Sequence, residues 1–100
     1  MINDIVTKHG GKIVFDDLSM LDEKKKIASQ IDDLKEDLFQ ATFSNDRILD
    51  IGWYPSFEPT GSFHIKLVFE HDWDNPIFSD TARSFEKLSI AVERAVKKIT

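Results

Sequence analysis

The sequence predicts a single α+β domain, a two-layer sandwich in which an antiparallel sheet of three or four strands carries two main helices on one face. Three observations lead to this fold class. Apolar residues recur at helical spacing in residues 19–38 and 79–98, they alternate with polar residues in three runs between these segments, and a proline-bounded loop joins two of the runs. The length of 100 residues, without a repeat or a linker, indicates one domain over residues 1–100.

Two amphipathic helices are predicted. In residues 19–38 the apolar side chains form one narrow stripe, and Ser19 or Asp17 is placed to cap the helix. The second helix begins at Ser79 or Asp80 and has several cations near its C-terminal end, where the helix dipole favours them. The stripe residues of the two helices are Met20, Ile27, Ile31, Leu34 and Leu38, and Phe85, Leu88, Val92, Val96 and Ile99.

Alternation of apolar and polar residues predicts three strands, in residues 39–43, 48–53 and 63–70. The loop 55–61 contains two prolines and joins the last two strands, which favours an antiparallel hairpin. The helices are expected to cover one face of the sheet. The opposite face, expected to be wet, carries His64, Lys66 and Glu70.

The first sixteen residues allow two interpretations. A short helix can end at Gly10 and Gly11, or the same two glycines can form a hairpin turn. The helical start, followed by a short strand at residues 12–15, is the preferred interpretation.

The composition limits the classes of function. The net charge of −5 does not suit a protein that binds nucleic acid directly, because neutralisation of phosphates supplies most of that affinity, and it suits a basic partner. The chain has no cysteine, which excludes disulfides, thiolate zinc sites and cysteine nucleophiles and fits a reducing compartment. No apolar run approaches a membrane span and no charged-then-apolar leader opens the chain, so a cytoplasmic protein without a membrane association is expected.

The residue pattern does not indicate catalysis. His9, His64 and His71 lack the short spacing of metal-ligand pairs, no serine lies in an activating motif, and no glycine-rich phosphate loop is present. We therefore expect no enzyme, no metal and no cofactor. A small metal-dependent enzyme that uses His64 and His71 with Asp72 and Asp74 is the alternative from another class.

The negative charge is concentrated in two parts of the chain. Residues 16–38 contain eight acids and four lysines, a local charge of −4, and residues 70–74 add −3, whereas residues 80–98 carry +2. Such a surface can be a solvated face with internal charge pairs, or a surface that attracts a cationic protein and raises its association rate. The two interpretations are compatible, since a face stays solvated until its partner binds.

Three short motifs resemble those of a known class of protein. They are residues 51–55 (IGWYP), residues 61–65 (GSFHI) and residues 73–76 (WDNP). A strand that ends in Gly-Trp-Tyr-Pro, a strand led by Gly and Phe, and a Trp-x-Asn-Pro turn before the last helix resemble small bacterial immunity proteins, with those of contact-dependent growth inhibition systems as the most similar class. The resemblance covers about residues 47–99.

The resemblance implies a cytoplasmic protein that binds a cognate toxin domain, often a nuclease with a basic cleft, and blocks its active site or a nearby surface. The motif residues themselves are expected to be scaffold. The partner-binding residues are instead predicted from charge and aromatic character, since acids imitate phosphates and aromatic side chains anchor interfaces. They are Asp32, Asp33, Glu36 and Asp37 on the first helix, Glu70, Asp72 and Asp74 on the loop, and the aromatic residues Tyr54, Phe57 and Trp73. The chain itself is expected to be a monomer or a weak homodimer, and a homo-oligomeric accessory protein that pairs exposed strand edges is a further alternative.

Overall fold

The computed structural model describes residues 2–99 of the chain. Within this range it has two α-helices and one antiparallel sheet, which confirms the α+β class, and the sheet has five strands where three or four were predicted. Two short 3₁₀ helices, Leu18–Met20 and Ile27–Asp33, lie between the first two strands. The helices and strands in chain order are α1 (Ile2–Lys8), β1 (Lys12–Asp16), β2 (Phe39–Phe43), β3 (Arg47–Tyr54), β4 (Ser62–Phe69), β5 (Phe78–Ala82) and α2 (Phe85–Val96).

The five strands form a simple meander in the order β1-β2-β3-β4-β5. The central strands β3 and β4 pair over their whole length, from Arg47 opposite Phe69 to Tyr54 opposite Ser62. Because every connection joins neighbouring strands, β1 and β5 are the two edges of the sheet. We refer to the two ends of the β3–β4 ladder as the Arg47 end and the Tyr54 end.

Two connections meet at the Arg47 end. The turn 44–46 between β2 and β3 places Asn45 and Asp46 at positive φ, which Asn and Asp tolerate better than most other residues. The amide of Glu70 donates to the carbonyl oxygen of Asp46 at 2.9 Å, so the loop 70–77 begins beside this turn. The loop 55–61 lies at the opposite, Tyr54 end.

One face of the sheet contributes the hydrophobic core. Every second residue of β3 and β4 is buried on this face, and the register places Leu49 opposite Leu67. Trp53 is buried in this core, and its indole Nε1 donates to the carbonyl oxygen of Glu58 at 2.8 Å, which satisfies its polar atom. The core cluster combines sheet residues with residues of both α-helices, among them Val6, Leu49, Ile51, Trp53, Phe63, Ile65, Leu67, Leu88 and Val92.

The α-helix predicted for residues 19–38 is wrong. The segment instead forms the two 3₁₀ helices with a turn between them. Side chains bind the backbone there: Asp22 Oδ1 accepts from the amide of Lys24, and the Gln30 side-chain amide binds both the N–H and the carbonyl of Asp22. Such local bonds compete with the helical hydrogen-bond ladder, so the backbone follows another path.

The prediction that the apolar stripe of this segment is buried is also only partly correct. Leu34 and Leu38 are fully buried and Ile27 and Ile31 pack against the core, but the side chain of Met20 is 81% exposed. The side chains of this segment are therefore buried where the irregular chain contacts the core, and they do not need to lie on one face of a helix.

The C-terminal helix is shorter than predicted. Ser79 and Asp80 belong to the edge strand β5, and the helix is capped by Ser84, whose Oγ accepts from the amide of Lys87 at 3.2 Å. The predicted stripe is confirmed in its centre, where the buried residues are Leu88, Val92 and Val96.

The preferred interpretation of the N-terminal residues is confirmed. Helix α1 ends before Gly10, which has a φ of 85°, and β1 follows it. Glycine reaches this left-handed conformation without the steric penalty of a side chain. Within residues 2–99, no helix has the length and apolar composition needed to cross a bilayer.

Candidate functional site

The second face of the sheet, opposite the core residues of β3 and β4, carries a row of side chains that crosses all five strands. We call this face the outer face. The register aligns each member with its neighbour on the next strand, so the row is continuous. Its members are Phe15, Gln40, Asp50, Lys66 and Ser79. The row therefore places one carboxylate in the middle of the sheet, between an amide and an ammonium group.

Asp50 is the central and half-buried member of this row. Burial raises the pKa of its carboxyl group, and the negative charge of Asp37 raises it further. A hydrogen bond with the Gln40 side chain and the charge of Lys66 act in the opposite direction without cancelling the increase. This carboxylate is thus held in surroundings that favour an additional positive charge.

An aromatic and an imidazole ring lie beside Asp50 on the outer face. The rings of Tyr54 and His64 are 4.9 Å apart between centroids. Burial raises the pKa of Tyr54, and the charges of Asp50, Glu36 and Asp37 raise it further. Burial, followed by the charge of Lys66, lowers the pKa of His64.

The segment of residues 34–38 runs along β3 at the Tyr54 end. The amide of Trp53 donates to the carbonyl oxygen of Lys35 at 2.9 Å, and the amide of Leu38 donates to that of Ile51 at 3.1 Å. The backbone of Glu36 lies directly against Gly52, where a Cβ atom would overlap its carbonyl oxygen. The absence of a side chain at this glycine therefore brings Glu36 and its neighbour Asp37 onto the sheet.

The loop 55–61 joins the same end. The amide of Phe57 donates to the carbonyl oxygen of Leu34 at 2.7 Å, and the side chain of Phe57 is 53% exposed. Phe57 has a φ of 62°, which is unusual for a bulky residue and is held by this contact between the two segments.

A shallow pocket of about 200 Å³ opens on the outer face between β1 and β3. The residues that line it are Phe15, Asp37, Phe39, Gln40 and Asp50. Phe15 is 40% exposed, so an aromatic wall stands beside two carboxylates. This combination can receive a cationic and partly planar group.

The predicted binding residues fall into two separate groups. Glu36, Asp37, Tyr54 and Phe57 meet at the Tyr54 end, because the segment 34–38 contacts both β3 and the loop 55–61. Asp32 and Asp33 precede this segment, exposed in the second 3₁₀ helix, so the four acids do not share the helical face that was predicted.

The other predicted residues lie at the Arg47 end. Glu70, Asp72, Trp73 and Asp74 are all exposed in the loop 70–77, and Trp73 is 39% exposed. β3 spans 8 residues, so this loop is roughly 23 Å from the Tyr54 end at about 3.3 Å per residue. Only one of the two acidic groups can therefore form the centre of a small interface.

The outer face is only partly as predicted. His64 and Lys66 do lie on it, half-buried, whereas Glu70 is in the turn after β4 with a φ of 50°. The alternative metal set is not assembled, since His64 lies on β4 and His71 in the loop 70–77. No group of three or more metal-ligating side chains occurs among the residues that the structure describes.

Sequence reasoning missed Phe15, Gln40 and Asp50. A signal for Asp50 was present, because a carboxylate in the centre of the mostly apolar strand β3 (RILDIGWY) is unusual. Comparison of the chain with protein-family models, with curated proteins and with solved structures found no match. The function is therefore inferred from the residues of this chain.

Proposed function

We propose that the protein is an immunity protein that binds and neutralises a basic bacterial toxin domain, of the kind found in contact-dependent growth inhibition. The observation that carries the proposal is the convergence of Glu36 and Asp37 with the aromatic residues Tyr54 and Phe57 at the Tyr54 end, while Asp50, in the middle of β3, is close enough to act on the pKa of Tyr54. We call these five residues the acidic end. In the proposal the helices cover the core face as a second layer, the acidic end covers the basic cleft of the toxin, and the protein acts in the cytoplasm.

Electrostatics would supply speed and orientation. Three carboxylates close enough to shift the pKa of Tyr54 together produce a local negative potential, and a nuclease cleft presents the opposite sign because it binds phosphates. Complementary potentials raise association rates 10- to 1,000-fold, by an order-of-magnitude estimate, and this gain falls as salt screens the charges.

The aromatic side chains would supply most of the binding energy. Interfaces rely on a few large side chains, rich in Tyr and Trp, that lose contact with water in the complex. Phe57 is exposed on a loop fixed by its amide contact with Leu34, so it needs little ordering upon binding. Tyr54 precedes Phe57 by three residues and is half-buried, and it adds a hydroxyl group able to make a hydrogen bond.

The first experiment is co-expression of the chain with the toxin domain encoded immediately upstream in its own genome. Growth rescue and co-purification of a one-to-one complex are expected, with the stoichiometry measured by size-exclusion light scattering. A toxin that kills despite soluble immunity protein, with no complex recovered, would discard the proposal.

The second experiment compares two matched charge reversals. Glu36→Lys with Asp37→Lys changes the acidic end, and Asp72→Lys with Asp74→Lys makes the same change in charge at the Arg47 end. At low salt the first pair should slow association at least tenfold and flatten its salt dependence, while the second pair leaves the rate within twofold. The reverse pattern would assign the interface to the loop 70–77 and refute this placement.

A further inference from the structure

The pocket between β1 and β3 contains two carboxylates that have no ion-pair partner among residues 2–99. Among residues 2–99, no Lys or Arg nitrogen lies within 4.0 Å of the carboxylate oxygens of Asp37 or Asp50, and Lys35 is paired with Asp17 at 2.6 Å instead. Asp50 is half-buried, and its carboxyl group has the Gln40 side chain as a hydrogen-bond partner. Burial and the charge of Asp37 still raise its pKa, so its ionised form carries a cost. A cation supplied from outside would remove part of this cost.

The shape of the pocket adds a second requirement. The exposed ring of Phe15 forms one wall, and the amide of Gln40 lies between that ring and Asp50 in the row. The volume of about 200 Å³ corresponds to roughly six or seven waters, which is enough for a side-chain end group. The pocket is open to solvent on the outer face, and a protruding side chain can therefore enter it.

A guanidinium group meets these requirements better than an ammonium group. It is planar, donates two parallel hydrogen bonds to a carboxylate and stacks on aromatic rings, and it is more weakly hydrated than the lysine head group. An ammonium group is a compact point charge that keeps its water more strongly.

We propose that the pocket formed by Phe15, Asp37, Gln40 and Asp50 receives an arginine side chain of the cationic partner protein. The guanidinium group pairs with the two carboxylates and stacks against the ring of Phe15. The inference rests on the proposed function for the protein that carries this arginine, whereas the preference of the pocket for a guanidinium group is a property of this chain alone.

The test titrates the isotope-labelled protein with N-acetyl-arginine amide and follows the backbone amides by NMR. The controls are N-acetyl-citrulline amide, which has the same shape without the charge, and N-acetyl-lysine amide. Saturable shifts centred on Phe15, Gln40 and Asp50 are expected, with binding at least fivefold tighter for arginine than for either control. Equal binding of citrulline or lysine, shifts centred on the loop 70–77, or no saturable shift would overturn the proposal.

Three variants connect the shifts to the pocket. Asp50→Asn keeps the shape and removes the charge, and it should weaken arginine binding at least fivefold. Phe15→Leu keeps an apolar side chain and removes the ring, with an expected loss of about two- to fivefold. Asp74→Asn removes a charge at the Arg47 end and should leave binding unchanged, so an equal loss in this control would show an effect of net charge alone and overturn the assignment.

The result of this binding test can be distinguished from the result of the co-expression test of the proposed function. If the upstream domain is not neutralised but arginine binds here, the proposed function fails and the pocket assignment stands. If a toxin complex forms while arginine binding is absent, the pocket assignment fails and the proposed function stands.

Discussion

Replacement of Gly52 by alanine tests how the acidic end is built. The new methyl group would overlap the carbonyl oxygen of Glu36 and lie 2.8 Å from its carbonyl carbon. Both atoms belong to the backbone, so a change of rotamer cannot relieve the clash. The segment 34–38 must move away from β3, and it carries Glu36 and Asp37 with it.

The size of the effect follows from the contacts that this movement disturbs. Forcing a methyl group into packed surroundings costs about 1–3 kcal/mol. The displacement also weakens two backbone hydrogen bonds, from Trp53 to Lys35 and from Leu38 to Ile51, each worth about 0.5–1.5 kcal/mol. Alanine recovers up to about 1 kcal/mol through its lower backbone entropy in the unfolded chain. The net loss in the free energy of unfolding is therefore about 3 kcal/mol, or a decrease in Tm of about 12–24 °C.

Urea denaturation and thermal melting measure the loss, and amide NMR shifts of residues 34–38 show whether the segment has moved. Ser79→Thr is the matched control, because it adds one methyl group at an exposed position of the outer face and should change stability by less than about 0.5 kcal/mol. A loss below about 1 kcal/mol for Gly52→Ala, with unchanged shifts in the segment, would refute the close contact between Gly52 and Glu36.

Two further predictions concern the core and the central carboxylate. Leu67→Ala should lower the free energy of unfolding by about 2–5 kcal/mol in urea denaturation, because Leu67 is fully buried opposite Leu49. The control Leu67→Met should lower it by less than about 1.5 kcal/mol. Equal small losses for the two variants would place Leu67 outside the core. Asp50→Asn should be more stable than the wild type at pH 7. Burial and the charge of Asp37 raise the pKa of Asp50, so its stabilising contribution is complete below the pKa of the unfolded chain, near 3.8, and is lost as pH rises through the higher folded value. The stability difference between the two proteins should therefore shrink as pH falls from neutral toward about 3.8 and stay constant below it, and a wild type that is the more stable protein at pH 7 would contradict the account of Asp50.

The elements with strong local patterns were predictable. Alternation identified β3 and β4, and the apolar stripe identified α2, because both patterns come from the geometry of a single element. Strand β5 was missed because its sequence, FSDTA, is short and mostly polar at an edge of the sheet. The helix at residues 19–38 was wrong because Asp22 and Gln30 bind the backbone across a turn, which no periodicity reveals.

The candidate site was less predictable than the fold. Tyr54 and Phe57 were selected for aromatic character, and their position beside Glu36 and Asp37 depends on hydrogen bonds between segments distant in sequence. The loop 70–77 has the same acidic and aromatic composition, and only its place at the Arg47 end separates it from the acidic end. Composition therefore identified suitable residues without deciding which of them lie together.

The sequence by itself determined the acidic net charge, the α+β class, the inward side of β3 and β4, and the buried stripe of α2. These properties depend on residue type and on local periodicity, and both can be read from a segment of the chain without its neighbours in space. Only the tertiary structure decided the register that aligns Gln40, Asp50 and Lys66, and the contact of Glu36 with Gly52. The physical reason is that neighbours across strands are set by long-range packing and by turns, so a carboxylate acquires its partners, its burial and its shifted pKa only when the whole sheet has formed.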